Sequence, residues 1–205
     1  MIELVNVRPL RGAEQFSVQI ESGSMVCIGG DYRNNLLRIM AGLDMPHEGS
    51  VLVNDYNFVQ MKEDARTIFR RQYMSYLYNT DNLLDNLTVK ENIILVSQLN
   101  GQNINNNELL KITNQLQISN DMLEKYPSTL SVLQKFIVTL ARGLVSNHLF
   151  IFVEDLDLLH NVRYIEDYFG ILKDVNQSYK VTIVITLADS KKWSSLFGQK
   201  LFVDI

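Results

Sequence analysis

Two segments constrain this chain more than any other feature: the continuous apolar run in HLFIFV at 148–153 and the apolar-rich KVTIVIT at 180–186, which reads as a second fully buried strand. A strand with one wet face alternates polar and apolar residues. A continuous apolar run marks a strand covered on both faces, the normal situation in a parallel sheet. Parallel neighbours cannot be joined by a tight hairpin and need a crossover, usually a helix. Residues 162–175, between the two segments, read as that helix. The expected class is therefore α/β.

The remaining segments fit this frame. MVCI at 25–28 stops at Gly29-Gly30, after which Leu36, Leu37, Ile39, Met40 and Leu43 recur at helical spacing, so strand, glycine turn and helix follow one another. IELVNV (2–7), FSVQI (16–20) and SVLVND (50–55) read as strands, as do YMSYLY (73–78) and a short final KLFVDI (200–205). RTIFRRQ (66–72) reads as a charged helical link. The middle of the chain is different. Residues 87–99 form a helix in which Thr88 and Glu91 make a capping-box pair. Residues 108–118 and 130–145 carry two further helical patterns, with a polar, Asn-rich loop at 100–107 before the first of them. The reading is a single domain over 1–205, with an α/β core from 1–84 and 146–205, an N-terminal antiparallel β part, and a helical subdomain inserted at roughly 85–145.

Composition narrows the partners. Hydrophobic residues make up 46% and charged residues 20%, ordinary for a folded chain. Nineteen Lys and Arg against 23 Asp and Glu leave a net charge of −4, which excludes a broad nucleic-acid-binding surface. The one cysteine, Cys27, excludes an internal disulfide or a multi-cysteine zinc site and fits a reducing compartment. No apolar run reaches the ~18 residues of a membrane-spanning helix, and MIELVNVRPLRG alternates too much for a signal peptide. Attachment to a membrane is expected only through a partner.

Four ordered segments resemble the nucleotide-binding cassette of ABC transporters. LLRIMAGLDMPHEGSVLVND (36–55) is similar to the helix, AGL turn and strand that follow the family's phosphate loop. YLYNTDNLLDNLTVKENIIL (76–95) resembles the Q-loop segment, and YPSTLSVLQKFIVTLARGLVSNHLFIFVEDLD (126–157) resembles the signature helix running into the Walker B strand. KVTIVIT (180–186) resembles the strand before the H-loop. The closest likeness is to exporters of lipoproteins, macrolides and antimicrobial peptides and to the cell-division cassette. The resemblance implies a P-loop NTPase-like core, ATP and Mg²⁺ as cofactors, an integral membrane permease and a second cassette subunit as partners, and a peripheral cytoplasmic location at the inner face of the cell membrane.

The catalytic positions depart from the family pattern. A phosphate loop, G-x-x-x-x-G-K-[ST], wraps phosphates in backbone N–H groups, with Lys on the β/γ oxygens and Ser/Thr on Mg²⁺. Here Gly29 and Gly30 open a shorter loop, Asp31 and Tyr32 follow, Arg33 falls at the Lys position, and Asn34 and Asn35 fall at the hydroxyl positions. The Q-loop glutamine corresponds to Asn79. The signature LSGGQ corresponds to Leu130-Ser131-Val132-Leu133-Gln134, so Ser131 and Gln134 persist while both glycines are replaced. The Walker B pair reads Glu154-Asp155, in exchanged order, and Mg²⁺ would be held through Asn79 and Glu154. The H-loop histidine corresponds to Leu187; His47, His148 and His160 lie elsewhere and read as surface or turn residues. The stretch Val7–Arg11, where the family places an adenine-stacking aromatic, contains Arg8 and Arg11 but no aromatic.

Two functions follow from the resemblance. One is a structural or regulatory cassette, with degenerate motifs and little or no hydrolysis, docked on a permease. The other is an active ATPase subunit using Arg33, Asn79, Glu154 and Asp155 to power export. By resemblance, the permease-docking surface comprises Tyr76, Tyr78, Leu83, Leu84 and Leu87. A dinucleotide-binding enzyme is excluded, because no G-x-G-x-x-G follows the first strand.

Overall fold

A computed structural model describes residues 1–78, 82–102, 104–158, 165–189, 192–193 and 202–204. In chain order the elements are β1 (Ile2–Arg8), β2 (Phe16–Ile20), β3 (Met25–Gly29), α1 (Arg33–Met40), β4 (Glu48–Val53), β5 (Tyr56–Asn57), α2 (Glu63–Tyr73) and β6 (Met74–Leu77). Then come α3 (Val89–Leu99), α4 (Asn106–Gln115), α5 (Asn120–Leu123), α6 (Val132–Val145), β7 (Phe150–Val153), α7 (Ile165–Tyr179), β8 (Thr182–Thr186) and β9 (Phe202–Asp204).

The two segments become β7 and β8, neighbours in a parallel sheet ordered β6-β7-β8-β3-β9. Every residue of β7 and β8 is buried, because both faces of this sheet are covered. On one face Met25, Cys27, Ile151, Val153, Ile183 and Ile185 join the helices α3 to α7 in a single apolar cluster. On the other, Ile28, Phe150, Phe152 and Val184 pack with Leu36, Leu37 and Met40 of α1 and with the inner residues of an antiparallel sheet ordered β2-β1-β4-β5. The chain is thus α/β, with the parallel core and the antiparallel part both present. All regular structure between residues 89 and 145 is helical.

The capping box at the start of α3 forms: the Thr88 hydroxyl accepts from the Glu91 N–H and the Glu91 carboxylate accepts from the Thr88 N–H. A second determinant was not legible from periodicity. Asn92 is fully buried on α3, and its side-chain amide N–H groups donate to the carbonyls of Leu84, Leu87 and Thr88. Its side-chain oxygen accepts from the Leu84 N–H and from Arg142 on α6. One side chain therefore shapes the entry into the helical region.

His148 departs from the sequence expectation of a surface or turn residue. It follows α6 in a turn, yet only 5% of it is exposed. Its Nε2 lies 3.1 Å from the Arg71 carbonyl and its Nδ1 lies 2.8 Å from the Ser75 hydroxyl. A carbonyl can only accept, so Nε2 carries the proton and Ser75 donates to Nδ1. Burial pushes the imidazole down to about 4 from 6.5. A depressed histidine favours the neutral form in the fold. Its stabilisation is present above the unfolded value and is lost as pH falls from 6.5 through about 4. Urea unfolding should therefore show ~3 kcal/mol less stability at pH 4 from this group alone. His148→Gln, which can keep both hydrogen bonds, should remove that increment of the pH dependence.

Candidate functional site at the strand ends

Ligands of open parallel sheets bind beyond the carboxyl ends of the strands. The register places Ile28 opposite Thr186 and Val153 opposite Ile185, so the residues after β3, β7 and β8 emerge at one edge. β3 ends at Gly29, and Gly30 takes a left-handed φ of +94°, a conformation that needs glycine, turning the chain into α1. No side chain caps α1 at Tyr32. The first residues of that helix project at the strand ends.

These residues meet the carboxylate of Asp155. Arg33 Nε donates to Asp155 Oδ1 at 2.7 Å, and Arg33 Nη1 donates to the Gly30 carbonyl at 3.1 Å. Asn34 Nδ2 donates to Asp155 Oδ2 at 2.6 Å. The Thr186 hydroxyl, itself fully buried, donates to Asn34 Oδ1 at 2.7 Å and accepts from the Asp155 N–H at 2.8 Å. Asp155, Thr186 and Asn34 so form a closed ring of hydrogen bonds, with Arg33 bound to its outer oxygen. About four-fifths of the Arg33 and Asp155 side chains are shielded from water. Asp155 holds a left-handed φ of +43°, which Asp tolerates better than most residues. Asn35 is half-buried and Asp31 is exposed.

Glu154 points elsewhere. It accepts a hydrogen bond from the Tyr76 hydroxyl of β6, and that tyrosine stacks on Phe152 at 6.3 Å. Burial, followed by the bond to Glu154, raises the Tyr76 pKa, so the phenol keeps its proton. The two adjacent carboxylates thus serve different neighbours. Nearby, Arg38 pairs with Asp44 at 2.7 Å. Asn79, expected beside them, lies outside the described residues.

Ser131 and Gln134 are brought together, but with each other. The Ser131 hydroxyl accepts from the Gln134 N–H at 3.3 Å and Gln134 Oε1 accepts from the Ser131 N–H at 2.9 Å, a capping box that starts α6. Leu187, which the sequence resemblance sets at the H-loop position, is fully buried and its N–H donates to the Ile28 carbonyl. Of the residues expected at a docking surface, Tyr78 and Leu84 are exposed, Tyr76 and Leu87 are half-buried, and Leu83 is 8% exposed within the main apolar cluster rather than at the surface. Arg8 is tied to Glu48 and to the Ala13 carbonyl.

Three contributors were missed from sequence. Thr186 ends an apolar run, and that lone hydroxyl at a strand's carboxyl end was the available signal. Asp157 accepts from the Ala188 and Asp189 N–H groups, each at 2.8 Å, joining the chain after β7 to the chain after β8. Phe16, which opens β2, packs its ring 6.1 Å from that of Tyr32.

A parallel core with a glycine turn and helix start at its strand ends, flanked by an antiparallel sheet and a helical region, defines a nucleotide-binding cassette. The family profile of ABC transporters matches residues 14–155. The bacitracin export ATP-binding protein BceA of Halalkalibacterium halodurans is 26% identical over 177 residues, 84% of this chain and 70% of that protein. The lipoprotein-releasing system ATP-binding protein LolD of Cytophaga hutchinsonii is 27% identical over 185 residues, 89% and 84% respectively. The ABC transporter ATP-binding protein MG065 homolog of Mycoplasma pneumoniae is 34% identical over 163 residues, 76% of this chain but only 33% of that protein's length. The structure of the ATP-binding cassette MJ0796 bound to ADP and Pi superposes with a TM-score of 0.76, covering 93% of this chain and 89% of that chain at 22% identity, a likeness of fold. The chain belongs to the ABC transporter family.

The ring makes a direct prediction. Thr186→Val keeps the shape but leaves the Asp155 N–H and Asn34 Oδ1 without their partner. Unsatisfied groups of this kind cost ~1–3 kcal/mol, and urea unfolding should register a loss in that range.

Proposed function

We propose that this chain is an ABC transporter cassette subunit that docks on an integral membrane permease at the cytoplasmic face, pairs with a second cassette, and hydrolyses little or no ATP. Residues 85–145 act in it as the helical subdomain, with 1–84 and 146–205 as the core. The names of its relatives support transport. BceA is named for bacitracin export, LolD for lipoprotein release, and MJ0796 is described as a dimer. Among the described residues no helix is long and apolar enough to cross a membrane.

The observation that carries the loss of turnover is the Arg33–Asp155 ion pair. Mg-ATP at such a site needs a cation free to meet the β/γ oxygens, a hydroxyl for the metal, and a carboxylate free to polarise water. The cation at the lysine position is engaged with Gly30 and Asp155. The amide at the hydroxyl position is engaged with Asp155 and Thr186. The second carboxylate, Glu154, accepts from Tyr76. The residues in this arrangement do not fit Mg-ATP. Freeing Arg33 would strand a mostly shielded carboxylate, at ~3 kcal/mol, the low end for breaking such a pair and roughly a 100-fold loss of affinity.

Thermal unfolding with millimolar Mg-ATP tests this. A ligand at 100 times its Kd adds ~2.7 kcal/mol, about 5–10 °C for a domain of this size. The wild type should shift by less than a degree. Asp155→Ala, which releases Arg33 and removes the competing charge, should gain an ATP-dependent shift. A full shift accompanied by phosphate release in the wild type would instead establish the active-ATPase reading.

Docking is tested separately. Tyr78 and Leu84 stand exposed, and Asn92 holds the backbone of Leu84 in place. Leu84→Asp should abolish co-purification with the permease at unchanged melting temperature. Leu83→Asp should unfold the chain, because Leu83 lies in the core.

A further inference from the structure

A cavity of about 420 Å³ opens between the helical region and α7, away from the strand ends. Its walls are apolar: Leu116 at the end of α4, Met122 of α5, Leu133 and Ile137 of α6, Ile171 and Val175 of α7. Its lip carries neutral groups from Gln115, Gln117, Gln134, Gln177 and Ser178, and one charged residue, Asp174. No Lys, Arg or His lines it.

The lip is built rather than incidental. Gln115 Nε2 donates to the Ser178 hydroxyl at 2.8 Å, linking α4 to α7 across 63 positions of sequence. Gln117 holds a left-handed φ of +55°, a conformation that usually falls to Gly or Asn at a helix end. The Asp174 carboxylate has no hydrogen bond or ion pair with any described residue. The wall has a further feature. Leu133 stands where the family signature carries a glycine, and its side chain lines this cavity. The substitution that removes a backbone-only approach to phosphate thus supplies apolar surface here.

We infer that this cavity binds a small monocationic amphiphile, its ammonium at Asp174 and its apolar body against Leu133, Ile137 and Ile171. The volume lies within the range of small-ligand sites, which combine apolar walls with a few convergent polar groups. Apolar side chains favour a hydrocarbon body in proportion to the area covered. The unpaired carboxylate, with no cation lining the cavity, attracts one positive charge and repels phosphates, nucleotides and fatty carboxylates. Binding here is independent of whether the strand-end site takes ATP.

Amide NMR of the full chain, titrated with octylammonium chloride and separately with sodium octanoate, tests the assignment. Octylammonium should shift the amides of residues 115–117, 133–137 and 171–178, and octanoate should bind at least fivefold more weakly. Asp174→Asn, an exposed and isosteric change, should weaken octylammonium about threefold to fivefold, in line with a partly wet ion pair, without changing the fold. Ile171→Trp should fill the cavity and abolish the shifts. Equal binding of the two probes, shifts centred elsewhere, or an unchanged affinity in Asp174→Asn would overturn the inference.

Discussion

The carboxylate of Asp155 holds the working edge of this fold together. Its two oxygens and its own N–H connect the end of β7, the end of β8 and the first turn of α1. Parallel strands leave their carboxyl ends as a row of loops, and something must fix those loops relative to one another. In this chain a ring of protein hydrogen bonds does so. Because Arg33 and Asp155 are mostly shielded, their attraction is stronger than at an open surface, and leaving either one unpaired is correspondingly costly. Arg33, Asn34, Asp155 and Thr186 are partners of each other.

The rest of the architecture packs behind that edge on both faces of the sheet. β7 and β8 are buried throughout because one face meets α1 and the antiparallel sheet while the other meets the helices. Two polar side chains of this interior come with full sets of partners. Asn92 satisfies its amide against three carbonyls, one N–H and Arg142, and His148 sits between Ser75 and a carbonyl. Gly143 shows how close the packing is: a Cβ there would lie 2.2 Å from the Ser75 hydroxyl.

The strands, the glycine turn and the caps were legible because they are local. Burial on both faces requires an apolar run, a left-handed turn requires a residue such as Gly30, and Thr88 with Glu91 satisfies N–H groups within one helical turn. The partners of the site residues were not legible. Glu154 and Asp155 are neighbours in sequence, and the resemblance sets both at one expected site. Adjacent residues leaving a strand point to different sides, so one meets Tyr76 and the other Arg33. Leu83 and Leu84 pose the same difficulty: two leucines side by side, one in the core and one in water. His148 reads as a turn residue, and only α2 and β6 packing over it make it an interior one.

The sequence by itself determined the class of fold, the family, and the identity of the residues at each motif position. Hydrophobic period, turn chemistry and motif spacing are properties of short stretches, readable one after another along the chain. The tertiary structure alone decided that Arg33 and Asn34 answer to Asp155 and Thr186, more than 100 positions away in sequence, and that Leu133 faces a cavity. Hydrogen bonds and shielding depend on distance in space, and only the packed sheet brings those distances down to hydrogen-bond length.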